Sequence, residues 1–271
     1  FGESSRSGRV TNQQTAELVE MLRRQRAKRG MTLQQLNEIA RIVTQHYRER
    51  GLFLAQAIIP AQTINSGVVR FQVLAGKQGA VNVTGVKKYT EDQLREPFKH
   101  QIGGMVNNDD VEEGLYLLND YPGLSVYGSF SAGENVGETV LNIDVREEKS
   151  WRVATRVDNH GSKFTGNDRI YILGDWYNPL GKGDSLTLGF LKSYSPEESQ
   201  LGQISYQIPV FDHRTRLRMS VDYNDFGIDS PSDSALGVAG IELSGVNSNY
   251  TLGINRQFRR SRARNFSAGV S

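Results

Sequence analysis

Apolar and polar residues alternate one by one over much of the segment 151–271, in short runs separated by turns. In the run from Leu217 to Tyr223 the odd positions are apolar and the even positions are polar or charged, which is the period of a strand with two unlike faces. Similar runs surround Trp151, Leu186, Ile204, Tyr250 and Phe266. The pattern therefore predicts about seven strands, each with one apolar and one polar face.

Short turns and longer polar loops alternate between these strands. The segments Asn178–Asp184, Phe211–Arg214 and Arg259–Arg262 predict tight turns, whereas longer loops are predicted around residues 160–168, 193–200 and 226–244. This asymmetry is typical of an up-and-down outer-membrane barrel. A soluble β-sandwich also alternates apolar and polar positions, so the pattern alone leaves both architectures open.

The first part of the chain mixes helical and strand periodicity. Thr11–Gln14 and Thr32–Gln35 both have the spacing of a capping box and predict two helices. Apolar residues recur every three or four positions after Thr32, as expected for one buried helix face. Strands are then expected at Leu52–Ile59 and Val68–Leu74, separated by a turn.

The same order of elements repeats in residues 76–148. The pattern predicts one strand, two helices and a hairpin, at Gly79–Thr84, Thr90–His100, Asn108–Asn119, Leu124–Phe130 and Thr139–Val145. This β-α-α-β-β order is complete, and residues 1–75 match it without its first strand. We therefore expect two α+β domains, 1–75 and 76–148, and a third domain of about seven strands over 149–271.

Composition narrows the possible functions. The net charge of +2 over 271 residues is nearly balanced, which argues against a nucleic-acid partner. The chain contains no cysteine, so disulfides, thiolate metal sites and a cysteine nucleophile are excluded. Because it starts at Phe1 without methionine and stops at Ser271 inside an alternating run, we expect it to be an internal piece of a longer protein.

Residues that could carry catalysis do not form a recognisable motif. His46, His100, His160 and His213 fall in different elements, without the spacing of a metal site. Gly181 and Gly183 belong to a turn, because the third glycine and the following helix of a dinucleotide site are missing. The basic cluster Arg23–Arg29 is expected to be a solvated helix end. We therefore expect no enzymatic activity, no metal and no cofactor.

Several short stretches, taken in order, resemble one family. They are Tyr47–Gly51, Ala57–Gln62, Val68–Leu74, Leu117–Gly123, Asp158–Ser162, Asn178–Gly181 and Arg259–Arg264. Their order and spacing are similar to those of the outer-membrane transporters of two-partner secretion, of the hemolysin-activator type. That family carries two periplasmic POTRA domains before a β-barrel, and the resemblance extends from about Thr11 to Ser271.

The resemblance implies a fold and a function. The fold would be α+β POTRA domains followed by the N-terminal part of an antiparallel transmembrane β-barrel. The first POTRA strand is missing, and about seven strands are present where the family closes a barrel of about sixteen. The POTRA domains would capture an unfolded secreted exoprotein, adhesin-like or hemolysin-like, in the periplasm, and the barrel would conduct it across the bacterial outer membrane.

Two alternatives stay open beside this interpretation. The first is a factor of the same superfamily that assembles or inserts other outer-membrane proteins. The second is a soluble periplasmic binding protein built on a β-sandwich.

The resemblance also implies site residues. The client would add to the edge strand of the first POTRA domain by backbone hydrogen bonds, at Leu52, Phe53, Leu54, Ala55, Gln56, Ala57, Ile58 and Ile59. Lipid would contact Leu186, Leu188, Phe190, Leu217, Met219, Val221 and Tyr223. The barrel lumen would be faced by Gln207, Arg216, Arg218 and Asp222.

Overall fold

A computed structural model describes residues 16, 19–20, 30–64, 67–161, 166–194, 199–229 and 242–271. The predicted capping box at Thr11–Gln14 and the basic cluster at Arg23–Arg29 lie outside the described residues. The same holds for most of the predicted loop at 226–244 and for parts of the two shorter loops.

Helix α1 spans Leu33–Arg48 and begins with the predicted capping box. The Thr32 hydroxyl accepts the Gln35 N–H at 3.3 Å, and the Gln35 side chain accepts the Thr32 N–H at 2.9 Å. Gly51, whose φ of +90° suits a residue without Cβ, lies in the turn that follows the helix. The Leu52 N–H donates to the Tyr47 carbonyl and the Gly51 N–H to the Arg48 carbonyl, which is a Schellman motif.

The first strand pair is much shorter than the sequence predicts. Strand β1 covers Gln56–Ile58 and pairs antiparallel with β2, which covers Gln72–Leu74. The prediction of a strand from Leu52 to Ile59 is wrong at residues 52–55 and at Ile59, and that of a strand from Val68 to Leu74 is wrong at residues 68–71. Leu52 belongs to the Schellman motif that follows the helix. A hydrogen bond from the Ala55 N–H to the Leu52 carbonyl then closes a further turn.

The second run of elements has the predicted strand-helix-helix-strand-strand order. Its elements are β3 (Lys77–Thr84), α2 (Glu91–Arg95), a 3₁₀ helix (Glu96–Gln101), α3 (Asn108–Asn119), β4 (Leu124–Ala132) and β5 (Glu138–Glu148). The three strands form one sheet in the order β3-β5-β4. Thr90 caps α2 with a second capping box, and the α-helix gives way to the 3₁₀ helix just before Pro97, which cannot donate a backbone N–H.

Seven antiparallel strands form the last sheet, in sequence order from β6 to β12. They are β6 (Trp151–Asp158), β7 (Asp168–Tyr177), β8 (Ser185–Tyr194), β9 (Gln200–Pro209), β10 (Thr215–Asp229), β11 (Glu242–Arg260) and β12 (Asn265–Val270). The count and the tight turns agree with the sequence prediction. In the part of the chain that the structure describes, no helix has the length and hydrophobicity needed to span a membrane.

Contacts group the chain into two compact units. One contains Phe1–Asn82, Phe98–Gly114 and Gly128–Ile143, and the other contains Val83–Pro97, Leu115–Tyr127 and Asp144–Ser271. This grouping follows contacts rather than sequence order. The boundaries 1–75, 76–148 and 149–271 therefore stay a prediction.

Candidate functional site

The strand register assembles two chemically different faces on the seven-stranded sheet. Met219 lies opposite Tyr206 on β9 and Leu252 on β11, and Val221 lies opposite Ile204 and Tyr250. Because directly opposed residues share a face, the seven residues predicted to contact lipid all lie on one side. The four predicted lumen residues lie on the other side.

Exposure on these two faces is the reverse of that in a soluble sheet. The apolar side chains are open, with Val221 41% and Tyr223 43% exposed. Several polar side chains near the middle of the sheet are covered instead, with Ser205 8% and Ser220 9% exposed. A soluble β-sandwich buries its apolar face against a second sheet, whereas no second sheet among the described residues covers the apolar face here. A sheet that meets lipid on one side and a polar interior on the other has this arrangement.

The polar face carries a ladder of charged groups. Arg152 on β6 pairs with Asp175 on β7 at 2.7 Å, and Asp175 also accepts the Thr187 hydroxyl at 2.8 Å. Nearer the other end of the same strands, Arg169 pairs with Asp158 at 2.7 Å. The sequence pattern does not indicate that Asp175 and Arg169 belong to this face. Their strand contains the apolar run Ile170–Leu173, and only the pairing register assigns its sides.

Three of the four predicted lumen residues come together. Gln207, Arg216 and Arg218 line a concavity of about 450 Å³ on the polar face. Asp222 lies further along β10, opposite Gln203 on β9 and Asn249 on β11.

Arg216 has a contact that the sequence did not indicate. Its guanidinium donates to the Asp120 carbonyl at 3.2 Å and lies 5.6 Å from the Tyr121 ring centroid, directly after α3. Arg260 from β11 binds the same Asp120 through both carboxylate oxygens, at 2.6 and 2.9 Å. Two arginines of the sheet therefore hold the end of α3.

A tyrosine pair lies beside these arginine contacts. Tyr89 and Tyr121 have ring centroids 5.6 Å apart, and the Tyr89 hydroxyl donates to the Pro122 carbonyl at 2.8 Å. Burial raises the pKa of both phenols above the ordinary value, so both stay neutral. Gln93 from α2 adds a hydrogen bond of 2.8 Å to the Gly181 carbonyl in the β7–β8 turn.

The eight residues predicted as a docking edge occupy three environments. Leu52, Phe53 and Leu54 lie in the turn after α1, where Phe53 contacts Phe130 with ring centroids 5.5 Å apart. Ala55 is fully buried. Gln56, Ala57 and Ile58 form β1, and Ile59 follows it.

A groove of about 620 Å³ runs between α1 and β1. Its β wall contains Gln56, Ala57, Ile58 and Ile59. Its helical wall contains Leu33, Asn37, Ala40, Arg41, Thr44 and Arg48. The strand side of this groove is the edge of β1 that β2 does not occupy, so an extended chain that entered it would lie alongside β1.

The described segments contain no group of three histidine, cysteine, aspartate or glutamate side chains placed to hold a metal ion. The backbone edge of β1 and the two faces of the sheet are candidate binding surfaces.

Two family models match the chain. Residues 137–271 match the haemolysin secretion/activation protein ShlB/FhaC/HecB, and residues 8–76 match the POTRA domain of ShlB type. Together the two matches cover about three quarters of the chain.

Curated relatives agree with these matches. The heme/hemopexin transporter protein HuxB of Haemophilus influenzae is 28% identical over 219 residues, which is 78% of this chain and 38% of HuxB. The outer membrane transporter CdiB of Dickeya dadantii is 25% identical over 180 residues, 63% of this chain and 31% of CdiB. The chain thus spans less than two fifths of the length of either relative.

A solved structure shares the fold. CdiB from Escherichia coli superimposes with a TM-score of 0.68 at 18% identity, over 95% of this chain and 46% of that one. The predicted fold class is confirmed: POTRA-type α+β structure is followed by an antiparallel sheet of seven strands that resembles part of a barrel.

Proposed function

Because this chain belongs to the ShlB/FhaC/HecB family of haemolysin secretion/activation proteins, we propose that it is part of a two-partner secretion transporter of the bacterial outer membrane. In this proposal residues 1–75 and 76–148 are two periplasmic POTRA domains. Residues 149–271 are the first strands of the barrel.

The observation that carries this proposal is the inverted burial of the seven-stranded sheet. Uncovered apolar side chains such as Val221 and Leu188 suit the hydrocarbon of a bilayer, whereas covered polar side chains such as Ser205 and Ser220 suit a polar interior. The ion pairs Arg152–Asp175 and Arg169–Asp158 face that interior. An extended polypeptide that passes through would meet polar groups instead of lipid.

The proposed client is an unfolded secreted exoprotein, adhesin-like or hemolysin-like. It adds to the open edge of β1 in the groove beside α1, through backbone hydrogen bonds that do not depend on its side chains. Transport then needs no ATP, because folding of the client outside the cell makes its movement directional. Binding and conduction are separate steps on separate parts of the chain.

A proline at Ala57 tests the docking edge, since it removes the one N–H of β1 known to point into the groove. We expect Ala57→Pro to lower secretion of the client at least tenfold while the barrel still assembles. The matched control is Ala57→Ser, which keeps the N–H and a small side chain. Client in the medium is measured by immunoblot, and barrel assembly by heat-modifiable migration on a gel.

Ala55, which the sequence predicts on the same edge, is not an equivalent test position. Its N–H already bonds to the Leu52 carbonyl, so proline there breaks a turn rather than an edge. Normal secretion by Ala57→Pro would show that β1 is not the docking edge. A general loss of outer-membrane proteins on deletion of the gene would instead favour the assembly-factor alternative.

A further inference from the structure

The outer edge of β1 is already hydrogen-bonded, although no strand among the described residues pairs with it. The Ala57 N–H donates to the Thr44 hydroxyl at 2.9 Å, and the Arg48 Nε donates to the Ala55 carbonyl at 3.1 Å. Both side chains come from α1, on the opposite wall of the groove. An acceptor and a donor thus stand where the backbone of an added strand would place its own carbonyl and N–H.

Thr44 is held in this role by a second hydrogen bond. Its hydroxyl donates to the Ala40 carbonyl at 2.8 Å, one turn earlier in α1, so its proton points away from β1 and its lone pairs point toward Ala57. The N–H of Ala57, a residue only 7% exposed, is in this way paired and shielded from water. A buried donor is thereby satisfied without a partner strand.

We propose that Thr44 and Arg48 are exchangeable caps on the docking edge, which a client strand must displace before it can pair with β1. This inference rests on the proposed function, because it concerns how the same edge is regulated. In the empty state the caps pair the edge and prevent edge-to-edge association with other chains. In the bound state the client supplies the same two hydrogen bonds, and the side chains of Thr44 and Arg48 are released.

The exchange has a defined energetic consequence. Each cap stabilises the empty edge by the net value of one hydrogen bond, and binding of a strand loses that amount. Removing a cap therefore tightens strand binding, whereas removing an ordinary structural contact would leave binding unchanged or weaken it. A decrease in Kd when the side chain is removed therefore identifies a cap, whereas an unchanged or increased Kd identifies an ordinary structural contact.

Thr44→Val is the decisive variant, since it keeps the shape of the side chain and removes the acceptor. The probe is a fluorescein-labelled peptide of alternating valine and threonine with lysine pairs at its ends, and binding to the full-length protein in detergent is followed by fluorescence anisotropy. We expect Kd to fall about threefold to tenfold. Thr44→Ser, which keeps the hydroxyl, and Gln45→Ala, whose side chain bonds to Glu49 instead, should stay within about twofold of wild type.

Arg48→Met provides a second variant that does not depend on the first. It keeps an apolar stem and removes the donor to Ala55, so Kd should fall about threefold. Amide hydrogen exchange adds a readout without peptide. Exchange at Ala57 should be at least tenfold faster in Thr44→Val than in wild type, and the peptide should restore protection. Circular dichroism melting checks that each variant is folded.

The outcomes distinguish this inference from the proposed function. Folded Thr44→Val and Arg48→Met could bind the peptide as well as wild type or more weakly, while Ala57→Pro abolishes binding. This result would show that Thr44 and Arg48 are not caps, although β1 is the docking edge. Unchanged exchange at Ala57 in Thr44→Val would also overturn the Thr44 cap. Peptide binding that is unchanged in Ala57→Pro would show that β1 is not the docking edge and that Thr44 and Arg48 do not cap one.

Discussion

Neighbouring residues on β10 face opposite environments, and this determines what each substitution costs. Val221 lies on the apolar face, opposite Ile204 and Tyr250, whereas Asp222 lies on the polar face, opposite Gln203 and Asn249. The sequence predicts this division from the period of two alone. The cross-strand register then determines which residues of the adjacent strands share each face.

Val221→Arg places a charge on the apolar face. If Val221 lies near the bilayer midplane of the proposed barrel, we expect a loss of about 2–4 kcal/mol of barrel stability, because an arginine there loses its hydration. The matched control is Asn249→Arg, which puts the same side chain opposite Asp222 on the polar face. Urea unfolding in lipid vesicles, read by heat-modifiable migration, measures both. Equal losses in the two variants would contradict the assignment of the faces.

At the scale of an element, the β7–β8 turn is organised around one carboxylate. Asp184 is fully buried and accepts the Leu180 N–H at 3.2 Å, the Lys182 N–H at 3.3 Å and the Tyr206 hydroxyl at 2.8 Å. The sequence predicts a tight turn here from Pro179 and the two glycines. It does not predict that an aspartate fills the centre of the turn, because Tyr206 comes from the next hairpin.

Asp184→Ala should destabilise this turn by about 2–3 kcal/mol, because it leaves three donors without their acceptor. Asp184→Asn keeps one acceptor oxygen and should lose about half as much. Asp168→Ala removes an exposed carboxylate at the start of β7 and is the matched control. The free energy of unfolding is compared among the three variants. A loss from Asp184→Ala no larger than that from Asp168→Ala would show that the turn does not depend on this side chain.

At the scale of the whole molecule, the end of α3 is tied to the sheet by residues far apart in sequence. Asp120 and Arg260 are separated by 140 positions and form a bidentate pair, in which the side chains are 32% and 24% exposed. The Arg260 guanidinium also lies 5.0 Å from the centre of the Tyr116 ring. Exposed ion pairs contribute little, but two parallel hydrogen bonds and partial burial strengthen this one.

A double-mutant cycle on Asp120→Ala and Arg260→Ala should give a coupling free energy of about 1 kcal/mol, which decreases as salt is added. The comparison pair is Glu147 and Lys149, whose side chains are 52% and 59% exposed and whose coupling should be close to zero. Both cycles use the free energy of unfolding. Faster tryptic cleavage after Lys149 in the Asp120 variant would show in addition that the contact restrains the joint between β5 and β6. No coupling at low salt would contradict the inferred contact.

The sequence by itself determined the features that depend on neighbouring residues. The period of two assigned the faces of β10, the capping box at Thr32 and the helix predicted from Thr90 placed two helix starts, and Asn108–Asn119 was predicted at its observed ends. These signals are local, because they arise from backbone geometry within one or two turns or one strand.

The contacts between residues on different elements were determined only by the tertiary structure. It shortened the predicted strand at Leu52–Ile59 to three residues, turned Arg216 toward Asp120, and placed Thr44 and Arg48 against the edge of β1. Each of these contacts joins residues on different elements, and the free energy of such a pairing depends on what the fold brings together. Periodicity along the chain carries no information about that partner.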